Sequence, residues 1–287
     1  MKNILLTLLS KTILANIIFS QEIKPTIVAD LNPASNFVTF SHDDQFIAIC
    51  GRQGVRVYSV NNGEPVLLTT LKDHKDYVNS VSFSPDGKFL ASASKDSTVN
   101  IYSISGVNFD LIKTLSDHNN SVYSVCFSPD GKYLASASKD KTVRIYSISG
   151  TNFTLIKTLS DHSNSIYSVS FSPDGKLLTS ASKDNTVKIY SISGSNINLI
   201  KTLADHSNDV YSVSFSPDGK YLASTARDNT VKIYFISNKN FNLIKTLADH
   251  SSSIYSVSFS PDGKYLASSS DDSTVNIYSI SGGNFNL

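Results

Sequence analysis

The sequence predicts an all-β protein built from repeated units, and two observations carry that prediction. Near-identical segments recur every 44 residues over most of the chain. Tyr and Phe number 14 and 15, Trp is absent, and Val, Ile, Thr and Ser are abundant, a composition that favours strands over helices. Repeats of this length are typical of solenoids, propellers and arrays, in which each unit buries its apolar face against its neighbours.

Short motifs in a constant order define the repeat. The string Ser-Pro-Asp-Gly-Lys begins at Ser84, Ser128, Ser172, Ser216 and Ser260. The pairs Asp-His and Ile-Tyr keep the same step. A degenerate unit precedes these five, with Phe40 to Asp44 in place of the turn string and Val57-Tyr58 in place of Ile-Tyr. We therefore expect one degenerate repeat at about 30–72 and five near-identical 44-residue repeats from residue 73.

One unit, residues 117–160, predicts four strands joined by turns. The expected strands are Val122 to Phe127, Tyr133 to Ser138, Thr142 to Ile148 and Phe153 to Leu159. Pro fixes φ for the second residue of a turn and Gly can adopt positive φ, so Ser-Pro-Asp-Gly closes the first hairpin. The apolar residues Val122, Val125 and Phe127 break strict alternation, which predicts a β-bulge near the start of the first strand.

These motifs carry a family resemblance. Asp-His, Phe-Ser-Pro-Asp-Gly-Lys, Leu-Ala-Ser-Ala-Ser-x-Asp, Thr-Val and Ile-Tyr-Ser, in that order, resemble the WD-repeat β-propeller family. The family's usual Gly-His is Asp-His here, and its Trp-Asp pair is replaced by Tyr-Ser, or by Tyr234-Phe235 in one unit. The resemblance covers about residues 25–287 and implies a single propeller domain over residues 21–287.

Six units predict a propeller of six four-stranded blades. The six steps together span 263 residues and place Leu287 one full set of units after Lys24. The last unit stops partway through its fourth strand, and we expect Pro25 to Ala29 to complete that strand and close the ring. An incomplete seven-bladed propeller or an open one is the alternative.

The resemblance implies a hydrogen-bonded tetrad in each of the five regular units. In this arrangement Asp orients the imidazole, the imidazole meets a Ser hydroxyl, and Tyr offers its hydroxyl where the family has an indole N–H. The five tetrads are His74, Ser92, Asp96 and Tyr102; His118, Ser136, Asp140 and Tyr146; His162, Ser180, Asp184 and Tyr190; His206, Ser224, Asp228 and Tyr234; and His250, Ser268, Asp272 and Tyr278. The first unit has Leu31, Ile49 and Arg52 or Gln53 at these places and keeps only Tyr58.

Repeated Asp, His and Ser residues also raise the possibility of a metal site or a hydrolytic triad. Residues 44 apart lie on successive blades, so they do not converge on one ion or one substrate atom. The two cysteines, Cys50 and Cys126, are too few for a thiolate zinc site and are expected to be buried free thiols. We expect no catalytic residue, no metal and no cofactor.

The charge balance excludes a dedicated nucleic-acid binder. Lys and Arg total 25 against 24 Asp and Glu, a net charge of +1. The resemblance implies a non-catalytic scaffold for protein–protein interaction. The alternative is a small-ligand receptor or a propeller enzyme that uses the central channel or the degenerate first blade.

Two repeated positions resemble the contact-face sites of the family. One carries Tyr123, Tyr167, Tyr211 and Tyr255, and the other carries Lys95, Lys139, Lys183 and Arg227. Asn79 and Asp271 break the two series. Tyr offers a large contact at low entropic cost and Lys or Arg donates charge-assisted hydrogen bonds, so an acidic or phosphorylated partner segment fits. Alternatively, Tyr fills gaps between blades and Lys solvates a turn.

The first twenty residues differ from the rest of the chain. Residues 1–20 carry an early Lys2, then an apolar run, and resemble either a signal peptide or an apolar N-terminal segment. Lys11 interrupts the apolar run, which argues against a stable membrane span. A signal peptide implies a secreted or periplasmic protein, and a cytoplasmic location is the alternative.

Overall fold

The computed structural model describes residues 35–61 and 64–287, and within them the chain forms six four-stranded antiparallel sheets. Sheet one contains β1 (Ser35–Phe40), β2 (Phe46–Gly51), β3 (Gly54–Asn61) and β4 (Glu64–Leu71). Sheet two contains β5 (Val78–Phe83), β6 (Phe89–Ser94), β7 (Val99–Ser105) and β8 (Asn108–Leu115). Sheet three contains β9 (Val122–Phe127), β10 (Tyr133–Ser138), β11 (Val143–Ser149) and β12 (Asn152–Leu159).

The remaining sheets repeat the pattern. Sheet four contains β13 (Ile166–Phe171), β14 (Leu177–Ser182), β15 (Val187–Ser193) and β16 (Asn196–Leu203). Sheet five contains β17 (Val210–Phe215), β18 (Tyr221–Ala226), β19 (Val231–Ser237) and β20 (Asn240–Leu247). Sheet six contains β21 (Ile254–Phe259), β22 (Tyr265–Ser270), β23 (Val275–Ser281) and β24 (Asn284–Asn286). Six consecutive up-and-down sheets confirm the predicted six four-stranded blades.

Neighbouring blades pack through apolar side chains of matching position. Between sheets three and four, Ala135, Val143 and Ile145 of one sheet meet Val169 and Phe171 of the next in a single buried cluster. Similar clusters join each sheet to the next from sheet one to sheet six. Burial of these β-branched and aromatic side chains against the next unit is what stabilises a repeat that has no core of its own.

The first strands of successive blades lie side by side and are linked by hydroxyl groups. The backbone N–H of Val169 donates to Ser124 Oγ at 3.3 Å, and that of Val125 donates to Ser80 Oγ at the same distance. These Ser side chains alternate with the buried Val residues of the same strands. Serine at this position therefore lets the first strands of neighbouring blades approach closely, and its hydroxyl accepts a hydrogen bond from a backbone N–H of the next blade.

Two expectations lie outside the described residues. These are the closing strand at Pro25 to Ala29 and the N-terminal segment 1–20. At the other end of the chain, β24 pairs with β23 only along Ser279 to Ser281. Val275 and Ile277 are partly exposed there, whereas the equivalent Val143 and Ile145 are fully buried.

Within the described part of the chain, no helix has the length and apolar character needed to cross a membrane.

Candidate interaction face

Strand direction sorts the loops onto two opposite ends of the blades. The first strand of each blade starts at one end and runs to the Ser-Pro-Asp-Gly-Lys turn at the other. The second strand returns, so the turn into the third strand and the loop that leads into the next blade share the starting end. We call this end the upper face, and it carries the Asp-His loops and the predicted Tyr and Lys positions.

Each predicted tyrosine is the extra residue of a β-bulge. In sheet three, Val122 pairs with Ser138 and Ser124 pairs with Ala137, so Tyr123 has no partner between them. The same shift occurs at Tyr167, Tyr211 and Tyr255, and at Asn79 in sheet two. The predicted bulge is thus confirmed. A bulge changes the direction of a side chain locally, and here it places all four rings on the upper face.

The four tyrosines form a continuous arc across sheets three to six. Ring centroids are separated by 5.4 Å from Tyr123 to Tyr167, 5.2 Å from Tyr167 to Tyr211 and 5.1 Å from Tyr211 to Tyr255. Interplanar angles of 39° to 52° are those of tilted rings in contact. All four side chains are half-buried. The arc therefore fills the space between blades and also exposes a broad amphipathic surface.

The cationic positions lie beside this arc because backbone hydrogen bonds tie each turn to the start of the first strand. The N–H of Lys139 donates to Ser121 O and that of Lys183 to Ser165 O, both at 2.9 Å. Both lysines are exposed. Lys95 differs, since its ammonium lies 3.7 Å from Asp76 and 5.6 Å from the Tyr77 ring centroid. Lys139 and Lys183 therefore present exposed ammonium groups without the ion pair that Lys95 forms.

Beneath the upper face, the structure brings the predicted Asp, His and Ser of each tetrad together. In sheet three, His118 Nδ1 lies 2.8 Å from Asp140 Oδ2 and His118 Nε2 lies 2.8 Å from Ser136 Oγ. The other four regular units have the same contacts at 2.7 to 2.9 Å. The imidazole of His118 is buried, so these bonds replace those it would make with water.

The tetrad aspartate also fixes the upper-face loop. Asp140 Oδ2 accepts a hydrogen bond from the N–H of Asn119, and Asp140 Oδ1 accepts from both the N–H and the hydroxyl of Thr142. Burial raises the pKa of Asp140, but the hydrogen bonds from His118 and Thr142 outweigh it, so the net pKa lies well below its usual range. A carboxylate that is ionised at neutral pH therefore holds the loop that leads to Tyr123.

In three of the five tetrads, the tyrosine hydroxyl bonds an aspartate that was not among the predicted site residues. Tyr146 is buried, and its hydroxyl donates to Asp117 Oδ2 at 3.0 Å. The same bond joins Tyr102 to Asp73 at 3.1 Å and Tyr234 to Asp205 at 3.2 Å. A phenol oxygen lies farther along the ring axis than an indole nitrogen, which lets it reach the Asp that precedes the His. The aspartate of the Asp-His pair was not among the predicted site residues. Its occurrence in all five regular units of the sequence was the signal that could have identified it.

The degenerate first unit lacks the polar network within the described residues. Ile49 is buried, and Arg52 and Gln53 are exposed. The guanidinium of Arg52 lies 5.9 Å from the Tyr77 ring centroid on the upper face. Its contribution to the face is therefore a cation beside an aromatic ring.

The two cysteines lie away from the upper-face residues predicted to bind a partner. Cys50 is buried and Cys126 partly buried, both are free, and burial raises the pKa of the Cys126 thiol to about 12. Among the residues that the structure describes, no three His, Cys, Asp or Glu side chains cluster as metal ligands. The upper face is thus the surface on which the predicted residues converge.

Comparison with known proteins agrees with this geometry. The sequence pattern described as "WD domain, G-beta repeat" matches residues 65–103, 109–147, 153–191, 197–234 and 241–279. The chain belongs to the WD-repeat family. In this WD-repeat protein each matched segment begins near the start of a fourth strand and ends within the third strand of the next blade, so it spans the interface between two blades. The family pattern therefore follows the packing unit rather than one sheet.

Two curated relatives match a short part of this WD-repeat protein. One is 38% identical over 64 residues and is the target of rapamycin complex subunit wat1 of Schizosaccharomyces pombe. The other is 30% identical over 64 residues and is the target of rapamycin complex subunit LST8 of Saccharomyces cerevisiae. Each match covers 22% of this chain and only 20% and 21% of the respective relative. Family membership indicates a protein-interaction scaffold.

Proposed function

We propose that this protein is a non-catalytic scaffold whose upper face binds an acidic or phosphorylated segment of a protein partner. The observation that carries the proposal is the arc of four half-buried tyrosines with Lys139 and Lys183 beside it. Both curated relatives are named as subunits of complexes, which supports a role in assembly.

The chemistry of the arc suits peptide binding. Among the described residues, the hydroxyls of Tyr123, Tyr167, Tyr211 and Tyr255 form no hydrogen bond. They can therefore donate to a partner without breaking an internal bond. Rigid aromatic rings lose little rotamer entropy on binding, and a neighbouring ammonium adds charge-assisted hydrogen bonds to carboxylate or phosphate oxygens.

The experiment is affinity purification of the full chain from cells that express it, compared with the double variant Tyr167→Ala and Lys183→Glu. The scaffold proposal predicts one stoichiometric partner, which the double variant binds more than about 30-fold more weakly, equivalent to about 2 kcal/mol. Binding of wild type should also weaken as salt rises. The charge-matched control is Lys176→Glu, which lies in the Ser-Pro-Asp-Gly-Lys turn at the opposite end of the same blade.

Unchanged partner affinity in the double variant, with the melting temperature preserved, would exclude the upper face of sheet four as the binding site. The degenerate first blade would then be the next surface to test. If the protein converts a small molecule and the double variant keeps that activity, the result would instead support a propeller enzyme that uses the central channel or the first blade.

A further inference from the structure

The outer edge of sheet two is an unpaired strand with exposed apolar side chains. Strand β8 is the last strand of this sheet, so within the described residues its outward backbone N–H and C=O groups have no strand partner. Leu111 and Ile112 lie at its centre and are 42% and 37% exposed. Ile112 is the extra residue of a β-bulge, since Leu111 pairs with Tyr102 and Lys113 pairs with Ile101. The edge therefore presents two large apolar side chains beside unused backbone groups.

Two residues of opposite charge flank this apolar centre. Asp110 precedes it and Lys113 follows it, and both side chains are exposed. Neither forms an ion pair with a described residue. Strands β12, β16 and β20 keep a Lys at the second position but carry Thr154, Asn198 and Asn242 in place of the acid. Among these four outer strands, only β8 therefore carries both signs of charge.

The order of side chains along β8 is complementary to itself in an antiparallel pair. If two β8 strands lie antiparallel about a two-fold axis between Leu111 and Ile112, Asp110 of each copy faces Lys113 of the other. The register with β7 places both charged residues on the side of the sheet that packs toward sheet three, so they meet on one side of the paired strands. Asp117, the next acid along the chain, would face Gly106 of the other copy. The pairing therefore opposes no like charges.

We propose that two copies of this chain associate through antiparallel pairing of their β8 strands. Two ion pairs between Asp110 and Lys113 flank an apolar contact of Leu111 with Ile112. Because the bulges interrupt regular pairing at the centre, these side chains rather than a continuous hydrogen-bond ladder determine the contact. One strand of each copy forms the interface, which predicts a weak and reversible dimer.

The orientation of this dimer leaves the upper face free. Strand β8 runs toward the upper face, so antiparallel pairing points the upper faces of the two copies in opposite directions. Each copy can then bind its own partner. The dimer contact is thus independent of the function proposed for the tyrosine arc.

The test is sedimentation velocity of the full chain at low salt over a series of protein concentrations. Wild type should shift reversibly from monomer to dimer, and added salt should favour the monomer because exposed ion pairs are screened. Asp110→Lys places Lys against Lys113 of the other copy, and Lys113→Asp places Asp against Asp110. Each variant should therefore raise the dimer Kd at least about tenfold.

Mixing the two variants provides the sharpest comparison. In an equimolar mixture of Asp110→Lys and Lys113→Asp, every charged residue of one variant faces the opposite charge on the other, so a dimer of the two should form with a Kd within about threefold of the wild-type value. A folding defect in either variant cannot produce this rescue. The matched control Lys157→Asp reverses the equivalent Lys of β12 and should leave the dimer Kd unchanged.

A wild-type chain that stays monomeric over the whole concentration series would overturn the proposal. A dimer that persists in both single variants, or a mixture of the two that stays monomeric, would overturn it as well. Loss of the dimer in Lys157→Asp with the melting temperature preserved would show that the contact does not lie at β8.

Discussion

At the scale of single residues, the repeated motifs predicted which side chains lie together but did not predict every hydrogen-bond partner of those side chains. The Asp, His and Ser of each tetrad are brought together as the motif order suggested, for example at His118, Ser136 and Asp140. The phenol of Tyr146 was expected to join them, and it donates to Asp117, a residue that was not among those predicted. Motif order gives the blade position of a residue, but the reach of a phenol past the imidazole depends on ring geometry that the repeat pattern does not encode.

Removal of the tetrad carboxylate should destabilise the fold without creating a catalytic defect. In Asp140→Ala the buried imidazole of His118 and the N–H of Asn119 lose their acceptor. We expect a loss of about 1–3 kcal/mol in the free energy of unfolding, measured by urea denaturation. Lys132→Ala in the exposed turn of the same blade serves as control and should cost less than about 1 kcal/mol, since the ion pair that it removes, with Asp130, is solvent-exposed. Equal losses in both variants would contradict the structural role of Asp140.

At the scale of strands and their interfaces, periodicity predicted the sheets well because each strand buries one face. The expected strands Val122 to Phe127 and Tyr133 to Ser138 match β9 and β10, and the third and fourth strands of that unit differ by one residue at their ends. The bulge at Tyr123 was visible as a break in alternation. Packing across blade interfaces was less accessible, because residues such as Val143 and Val169 meet from different strands of neighbouring units, and the repeat pattern does not specify which of them pack together.

One interface contains a hydroxyl that the fold does not use. Thr225 is fully buried, and its Oγ1 has no hydrogen-bond partner among the described residues. Ala93, Ala137 and Ala181 take this position in the three preceding blades. Since Val has the shape of Thr without the hydroxyl, Thr225→Val should stabilise the protein by about 1 kcal/mol, read from the urea midpoint. Ser224→Val, which removes the hydroxyl that contacts His206, should instead destabilise it. A destabilised Thr225→Val variant would show that the hydroxyl does have a partner.

At the scale of the whole molecule, five tetrads titrate in the same direction, so their effects on stability add. Burial opposes ionisation of Asp140, Asp184, Asp228 and Asp272, but hydrogen bonds lower the pKa of each well below its ordinary range. The pKa of Asp96 is lowered as well. An unfolded Asp has a pKa of about 3.9. In the interval below that value the unfolded chain binds more protons than the folded one, so stability rises with pH there.

The contribution of the five tetrad aspartates to the free energy of unfolding should therefore be nearly constant between pH 5 and 7. The free energy of unfolding should fall steadily as the pH drops below about 4. Urea denaturation at a series of pH values measures it. Asp140→Asn should show a smaller decrease than wild type, because one of the five carboxylates no longer titrates. An unfolding free energy in wild type that stays flat from pH 5 down to about pH 2.5 would be inconsistent with depressed tetrad pKa values.

The central claim, that the tyrosine arc of the upper face is the partner-binding surface, is tested most directly by hydrogen exchange of the full chain with and without its bound partner. We predict slower amide exchange at the bulges around Tyr123, Tyr167 and Tyr211 and at the turns of Lys139 and Lys183, with little change at the Ser-Pro-Asp-Gly-Lys turns. Protection confined to those turns at the opposite end, with unchanged exchange at the three bulges, would contradict the claim.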